Sequence, residues 1–170
     1  MRHNKLAVIL VDMQDFFLKK VTKENRKRII PNQIKVINFC EKYKIPLIVL
    51  EYKRRGDTTK ILREKIKRLP HTEIVVKEHN SGFRGTNLAE ILEEIKVRNI
   101  LLMGINASGC VQDTAIGALY RGYKILTAST VIASFSERDR SLATSKKWYS
   151  KSGRYFENTN DLLKYIAKSL

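Results

Sequence analysis

A carboxylate, an ammonium and a thiol stand at the ends of three apolar runs: Asp12 closes "KLAVILVD", Lys77 closes "EIVVK", and Cys110 follows "NILLM" in "GINASGC". Together they can do nucleophilic chemistry. A thiol becomes a nucleophile when a base takes its proton, and an ammonium offsets the repulsion between a carboxylate and the new thiolate. The Cys110 stretch reads as strand, tight turn and helix, which puts the thiol in the first helical turn, where unpaired N–H groups and the helix dipole favour a thiolate. Gly104 and Gly109 have the separation of a P-loop, but Cys110 and Val111 stand where that loop needs Lys and then Ser or Thr. The dinucleotide fingerprint G-x-G-x-x-G is not met either, and what remains is a thiol at the first turn of a helix. His79 lies two residues beyond Lys77 on the same side of an extended strand, and a Cys110–His79 pair is the rival reading of the same residues.

The elements that must bring these residues together are legible as runs and periods. "KLAVILVD" is almost continuously apolar, as in a parallel strand covered on both faces, and "PLIVLEY", "EIVVKEH", "NILLMGI" and "YKILTAS" follow. Helical spacing appears at Ile30, Ile34 and Ile37, with Pro31 suited to a first turn, and at Leu88, Ile91, Leu92 and Ile95. The helix after Cys110 turns Val111, Ala115, Ala118 and Leu119 inward and stops near Gly122. A short strand at "RYFEN" and a closing helix capped by Asn160 complete the pattern, while Thr130 to Ser152 is the least regular span, polar and charged and open between a helix and a lid, and Trp148 there reads as a packing or interface residue rather than a substrate stacker. Strands alternating with helices predict an α/β fold with a mostly parallel sheet and right-handed crossovers. In such sheets ligands sit beyond the carboxyl ends of the strands, where Asp12, Glu51, Lys77 and the 104–110 turn all fall.

The 170 residues read as one domain, 1–170, and the 43% hydrophobic content fits a packed core. Apolar runs are too short for a membrane span and no leader pattern opens the chain, so a cytoplasmic protein is expected. Cys40 and Cys110 are too few for a disulfide framework; Cys40 reads as a small buried hydrophobe. Lys and Arg number 33 against 17 acids, a formal net charge of +16. That balance permits nucleic acid, but the cations are scattered and no finger spacing or aromatic-rich platform accompanies them, so solvated faces are the simpler reading. His3 and His71 read as surface residues, and three scattered His make a poor metal set.

"VILVDMQDFF", "VVKEHNSGFRGTNL" and "LMGINASGCVQDTAIGALYRGYKI" resemble, in order and spacing, the three signature segments of the isochorismatase-like cysteine hydrolases, a family with nicotinamidases, N-carbamoylsarcosine amidases and ureidoacrylate amidases. The resemblance implies a three-layer fold around a six-stranded, mostly parallel Rossmann-like sheet. It implies a homo-oligomer, dimer or tetramer, and a triad of Asp12, Lys77 and Cys110. It also implies an oxyanion hole from the main-chain N–H groups of Asn106 and Cys110, with a cis peptide at Ile105–Asn106. Phe17, Phe83 and Arg84 take pocket positions, Arg84 being either a surface charge or a clamp for a substrate carboxylate.

This chain departs from the family's pattern in places. "DMQDFF" puts its second acid one place early, so Phe16 stands where an acid is usual, and Asn106 replaces a small residue. Metal-dependent nicotinamidases carry Asp-x-His and further His after the second strand, whereas "LEYKRRGDTTK" has none. The expectation is a hydrolase with no metal and no cofactor, acting on a small amide, ureido or carbamoyl compound through a thioester. The alternative is a basic α/β protein that binds nucleic acid or another anion beside an idle site.

Overall fold

The computed structural model describes residues 6–135 and 140–170, with backbone only for 140–144. His3 lies outside the described residues. Seven parallel strands form one sheet: β1 (Leu6–Val11), β2 (Leu47–Tyr52), β3 (Thr72–Lys77), β4 (Asn99–Ile105), β5 (Lys124–Ala128), β6 (Ile132–Ala133) and β7 (Arg154–Phe156). Six of them run in the order β3-β2-β1-β4-β5-β7, and the two-residue β6 extends the sheet by pairing with the end of β4. The six-stranded core is the one expected. The additional strand falls in the span without a regular pattern, because two residues are too few to display a period.

Helices cover both faces: α1 (Asp15–Leu18), α2 (Lys23–Tyr43), α3 (Lys60–Ile66), α4 (Leu88–Glu94), α5 (Cys110–Tyr120), α6 (Arg140–Ser152) and α7 (Thr159–Ala167). Every residue of β1 is buried, which explains its unbroken apolar run. Val111, Ala115 and Ala118 of α5 are buried as their spacing requires, and Cys40 is fully buried in α2.

Two helix starts differ from expectation. Pro31 lies inside α2, which begins at Lys23 where the Thr22 hydroxyl accepts a hydrogen bond from Asn25 N–H at 3.1 Å. The first turns of α2, "KENRKR", are polar and show no apolar stripe, so only the cap marks them. Likewise Asn158, not Asn160, caps α7: its side chain accepts from Asp161 N–H at 2.9 Å, three residues on.

The strand order sets the site. From β1 the chain winds outward through β2 and β3, then returns to the other side of β1 with β4. The topological switch point therefore lies between β1 and β4, where a crevice opens at the carboxyl ends. Here Val11 and Gly104 are register partners. Gly104 has φ +130°, and a Cβ there would lie 2.1 Å from the Val11 carbonyl oxygen. Only glycine fits, by conformation and by space. Gly104→Ala is expected to destabilise the protein by more than about 2 kcal/mol, read from urea unfolding; a midpoint equal to that of the natural chain would contradict this packing.

Candidate active site

Asp12 directly follows β1 with φ +52°, a left-handed conformation that Asp tolerates better than most residues. Its N–H still bonds to Leu50 of β2 at 3.0 Å, so the turn starts only after the strand is anchored. Lys77 ends β3, two strands away in the sheet. Its Nζ donates to Asp12 Oδ2 at 2.9 Å, and the side chains of Lys77 and Asp12 are 0% and 3% exposed. A charge so buried must be paired, since leaving it alone costs several kcal/mol by order of magnitude. Lys77 Nζ also donates to the His79 carbonyl at 3.1 Å and sits 4.4 Å from the centre of the Tyr52 ring. His79 thus serves the site through its backbone, with its imidazole on the exposed rim.

Cys110 is the first residue of α5, beyond β4, and its thiol is half-buried. Its ionisable neighbours are Asp12 and Lys77. Burial first, then the negative charge of Asp12, push the thiol up to about 12, against the opposing pull of Lys77. Burial also raises the Asp12 carboxyl, opposed by Lys77. Desolvation and the carboxylate thus oppose the favourable N–H groups of the helix N-terminus. The thiol donates to Asn80 Oδ1 at 3.7 Å, and Asp12 Oδ1 is buried without a hydrogen-bond donor among the described residues.

The turn between β4 and α5 is tightly built. The Ile105–Asn106 peptide is cis, and the Asn106 carbonyl accepts from both Gly109 N–H at 3.0 Å and Val111 N–H at 3.1 Å. The buried Tyr149 of α6 donates its hydroxyl to the Ala107 carbonyl at 2.9 Å. Among the described residues, neither Asn106 N–H nor Cys110 N–H has an acceptor.

Several positioning residues carried no clear signal in the sequence. Gln14, fully buried, clasps the backbone of Tyr52 with both ends of its amide, accepting from Tyr52 N–H at 2.8 Å and donating to Tyr52 O at 3.0 Å; it also donates to Gly56 O. Thr114 accepts from Gly82 N–H at 2.9 Å and so ties the loop after β3 to α5. Gln14 lies within the quoted "VDMQ" segment, and its type, an amide inside an apolar stretch, was the available clue.

A cavity of about 540 Å³ lined by Tyr52, Asn80, Arg84 and Asp113, among others, reaches the thiol only through Asn80, the acceptor of its hydrogen bond; Cys110 itself is not part of the lining. Arg84 is exposed at its rim. Phe17 packs edge-on to Tyr52 at 6.0 Å and stacks with Phe135 at 6.1 Å. Phe83 is buried instead of lining this cavity, its ring under Gly117 and 4.5 Å from the Arg121 guanidinium. Nor does Glu51 face a ligand: its carboxylate accepts from Thr58 N–H at 2.7 Å and from the Thr58 hydroxyl at 2.8 Å. With Glu51 so engaged and Lys53 paired to Glu78, the loop after β2 does not fit the metal of the metal-dependent nicotinamidases. No cluster of three potential ligands exists among the described residues.

Residues 6–147 match the family model described as the isochorismatase domain. The chain belongs to the isochorismatase family. Among its isochorismatase-family relatives, Nicotinamidase 3 of Arabidopsis thaliana is 24% identical over 157 residues, 79% of this chain and 77% of that protein. The fold superposes on N-carbamoylsarcosine amidase from Thermoplasma acidophilum with a TM-score of 0.76, at 23% identity over 91% of this chain and 96% of that one. A ribonuclease from Caenorhabditis elegans superposes with a TM-score of 0.81, at 25% identity over 96% and 81%.

The electrostatics of this isochorismatase-family site carry a sign that alkylation can read. Asp12 raises the Cys110 thiol and Lys77 lowers it. Asp12→Asn is therefore expected to speed iodoacetamide labelling of Cys110 at neutral pH by roughly tenfold, and Lys77→Met to slow it. Cys40, fully buried, should label only on unfolding. The measurement is peptide mass spectrometry of a labelling time course; slower labelling of Asp12→Asn would refute the assigned signs.

Proposed function

We propose that the protein is a metal-independent cysteine amidohydrolase that cleaves a small amide, ureido or carbamoyl substrate through a thioester on Cys110. The observation that carries this reading is the buried Lys77–Asp12 ion pair beside a thiol at the first turn of α5. Nicotinamidase and N-carbamoylsarcosine amidase, among the similar proteins above, are named for reactions on such bonds.

Catalysis begins when the thiol turns from Asn80 to the open Oδ1 of Asp12 and transfers its proton there. The Lys77 ammonium holds the other carboxylate oxygen and keeps the thiolate from facing an uncompensated negative charge. The sulfur attacks the substrate carbonyl carbon, whose oxygen becomes negative and takes hydrogen bonds from Asn106 N–H and Cys110 N–H. The C–N bond then breaks, and the nitrogen leaves as ammonia or an amine with the proton from Asp12. Water adds to the thioester carbonyl while Asp12 takes its proton. Collapse expels the sulfur, which regains that proton, and the acid departs. A thiol that rests protonated suits this scheme, because charge separates only when substrate occupies the anion hole.

Two further features belong to the reading. Arg84 at the cavity rim suits a substrate carboxylate. Ile74 and Val76, 62% and 56% exposed on the edge strand β3, support a homo-oligomer, since an apolar sheet edge of this kind calls for a partner.

Intact-mass spectrometry of the protein mixed with a panel of amides and acid-quenched is expected to trap an acyl group on Cys110, with Cys110→Ala carrying none. Asp12→Asn should lower turnover by at least about a hundredfold. Hydrolysis of the panel that survives in Cys110→Ala would sink the mechanism.

A further inference from the structure

The mouth of the site carries a cationic and aromatic lip that the hydrolytic scheme does not use. Phe16 stands where the family's pattern has an acid, and it is 40% exposed. The Arg55 guanidinium lies 4.3 Å from the centre of its ring and Lys20 Nζ lies 5.1 Å away. Lys20 also caps Phe17, which contacts Tyr52, and Tyr52 lines the same cavity as Arg84. Arg55, Phe16, Phe17 and Tyr52 thus form one run of contacts, and Arg84 stands on the cavity that Tyr52 lines.

The carboxylates nearby are mostly spent. Glu78 holds Lys53, Asp57 holds Arg63, and Glu51 holds Thr58, leaving Asp15 and Asp113. Lys20, Arg55 and Arg84 have no carboxylate partner among the described residues, and neither do the adjoining Lys19 and Arg54. In a chain of net charge +16, this face keeps its cations available and arranges them around an exposed ring.

We propose that this lip binds single-stranded nucleic acid. Cations held against an aromatic ring offer what such a strand requires: phosphate neutralisation, and flat π or guanidinium surfaces for unstacked bases. A duplex would hide its bases from Phe16. An anionic bilayer is the lesser fit, because Phe16 is one ring, not the apolar face of an interfacial helix.

The test is fluorescence anisotropy with a fluorescein-labelled 15-nucleotide single-stranded oligoribonucleotide of mixed sequence, its duplex form, and vesicles containing phosphatidylserine. Expected is binding of the single strand in preference to the duplex, weakening steeply with salt. Phe16→Ala should weaken it at least about fivefold. The double variant Lys20→Ala, Arg55→Ala should weaken it further and reduce the log–log salt slope by about 1.4. Cys110→Ala should bind as the natural chain does, so failure here and failure of the hydrolase reading are separate results. A control pair at the opposite end of the sheet, Arg98→Ala with Lys124→Ala, should leave binding unchanged. Equal loss in that pair, indifference to the lip variants, or capture of vesicles but not oligonucleotide would each overturn the proposal.

Discussion

The whole site depends on one buried ion pair. Lys77 and Asp12 come from strands separated by β2, yet their side chains meet at 2.9 Å almost out of reach of water. Such a pair adds little net stability, because desolvation takes back most of the Coulombic gain, but losing either partner strands a charge in the interior. It is held from several directions: the His79 carbonyl and Tyr52 ring on the ammonium, and the anchored left-handed turn on the carboxylate. A pair so costly to bury and so firmly positioned is what the proposed chemistry would require.

Its position follows from backbone constraints. Gly104 lets β4 lie against β1 closely enough for the cis turn and the start of α5 to arrive beside Asp12. Gln14 and Thr114 then tie the flanking loops, one to β2 and the other to α5. The groups that would react are thus fixed by neighbours that would not.

The balance at Cys110 shows why a local reading of a helix N-terminus was incomplete. Within its own segment, the thiol meets only favourable N–H dipoles. In the folded protein it meets a desolvating wall and a carboxylate, and these dominate.

Composition and period by themselves determined the alternation of strands and helices, the mostly parallel sheet and the rim on which Asp12, Lys77 and Cys110 fall, because buried strands must be apolar and helices must show a stripe. Those signals are local, which is why "KLAVILVD" and "NILLMGI" were unambiguous while the polar start of α2 and the two residues of β6 were not. Whether Lys77 or His79 stands beside Cys110, whether Phe83 lines a cavity or packs beneath α5, and what Glu51 and Gln14 hold were left to tertiary structure. Each of these depends on which side chain is desolvated next to which, and that is settled only when distant strands have closed on one another.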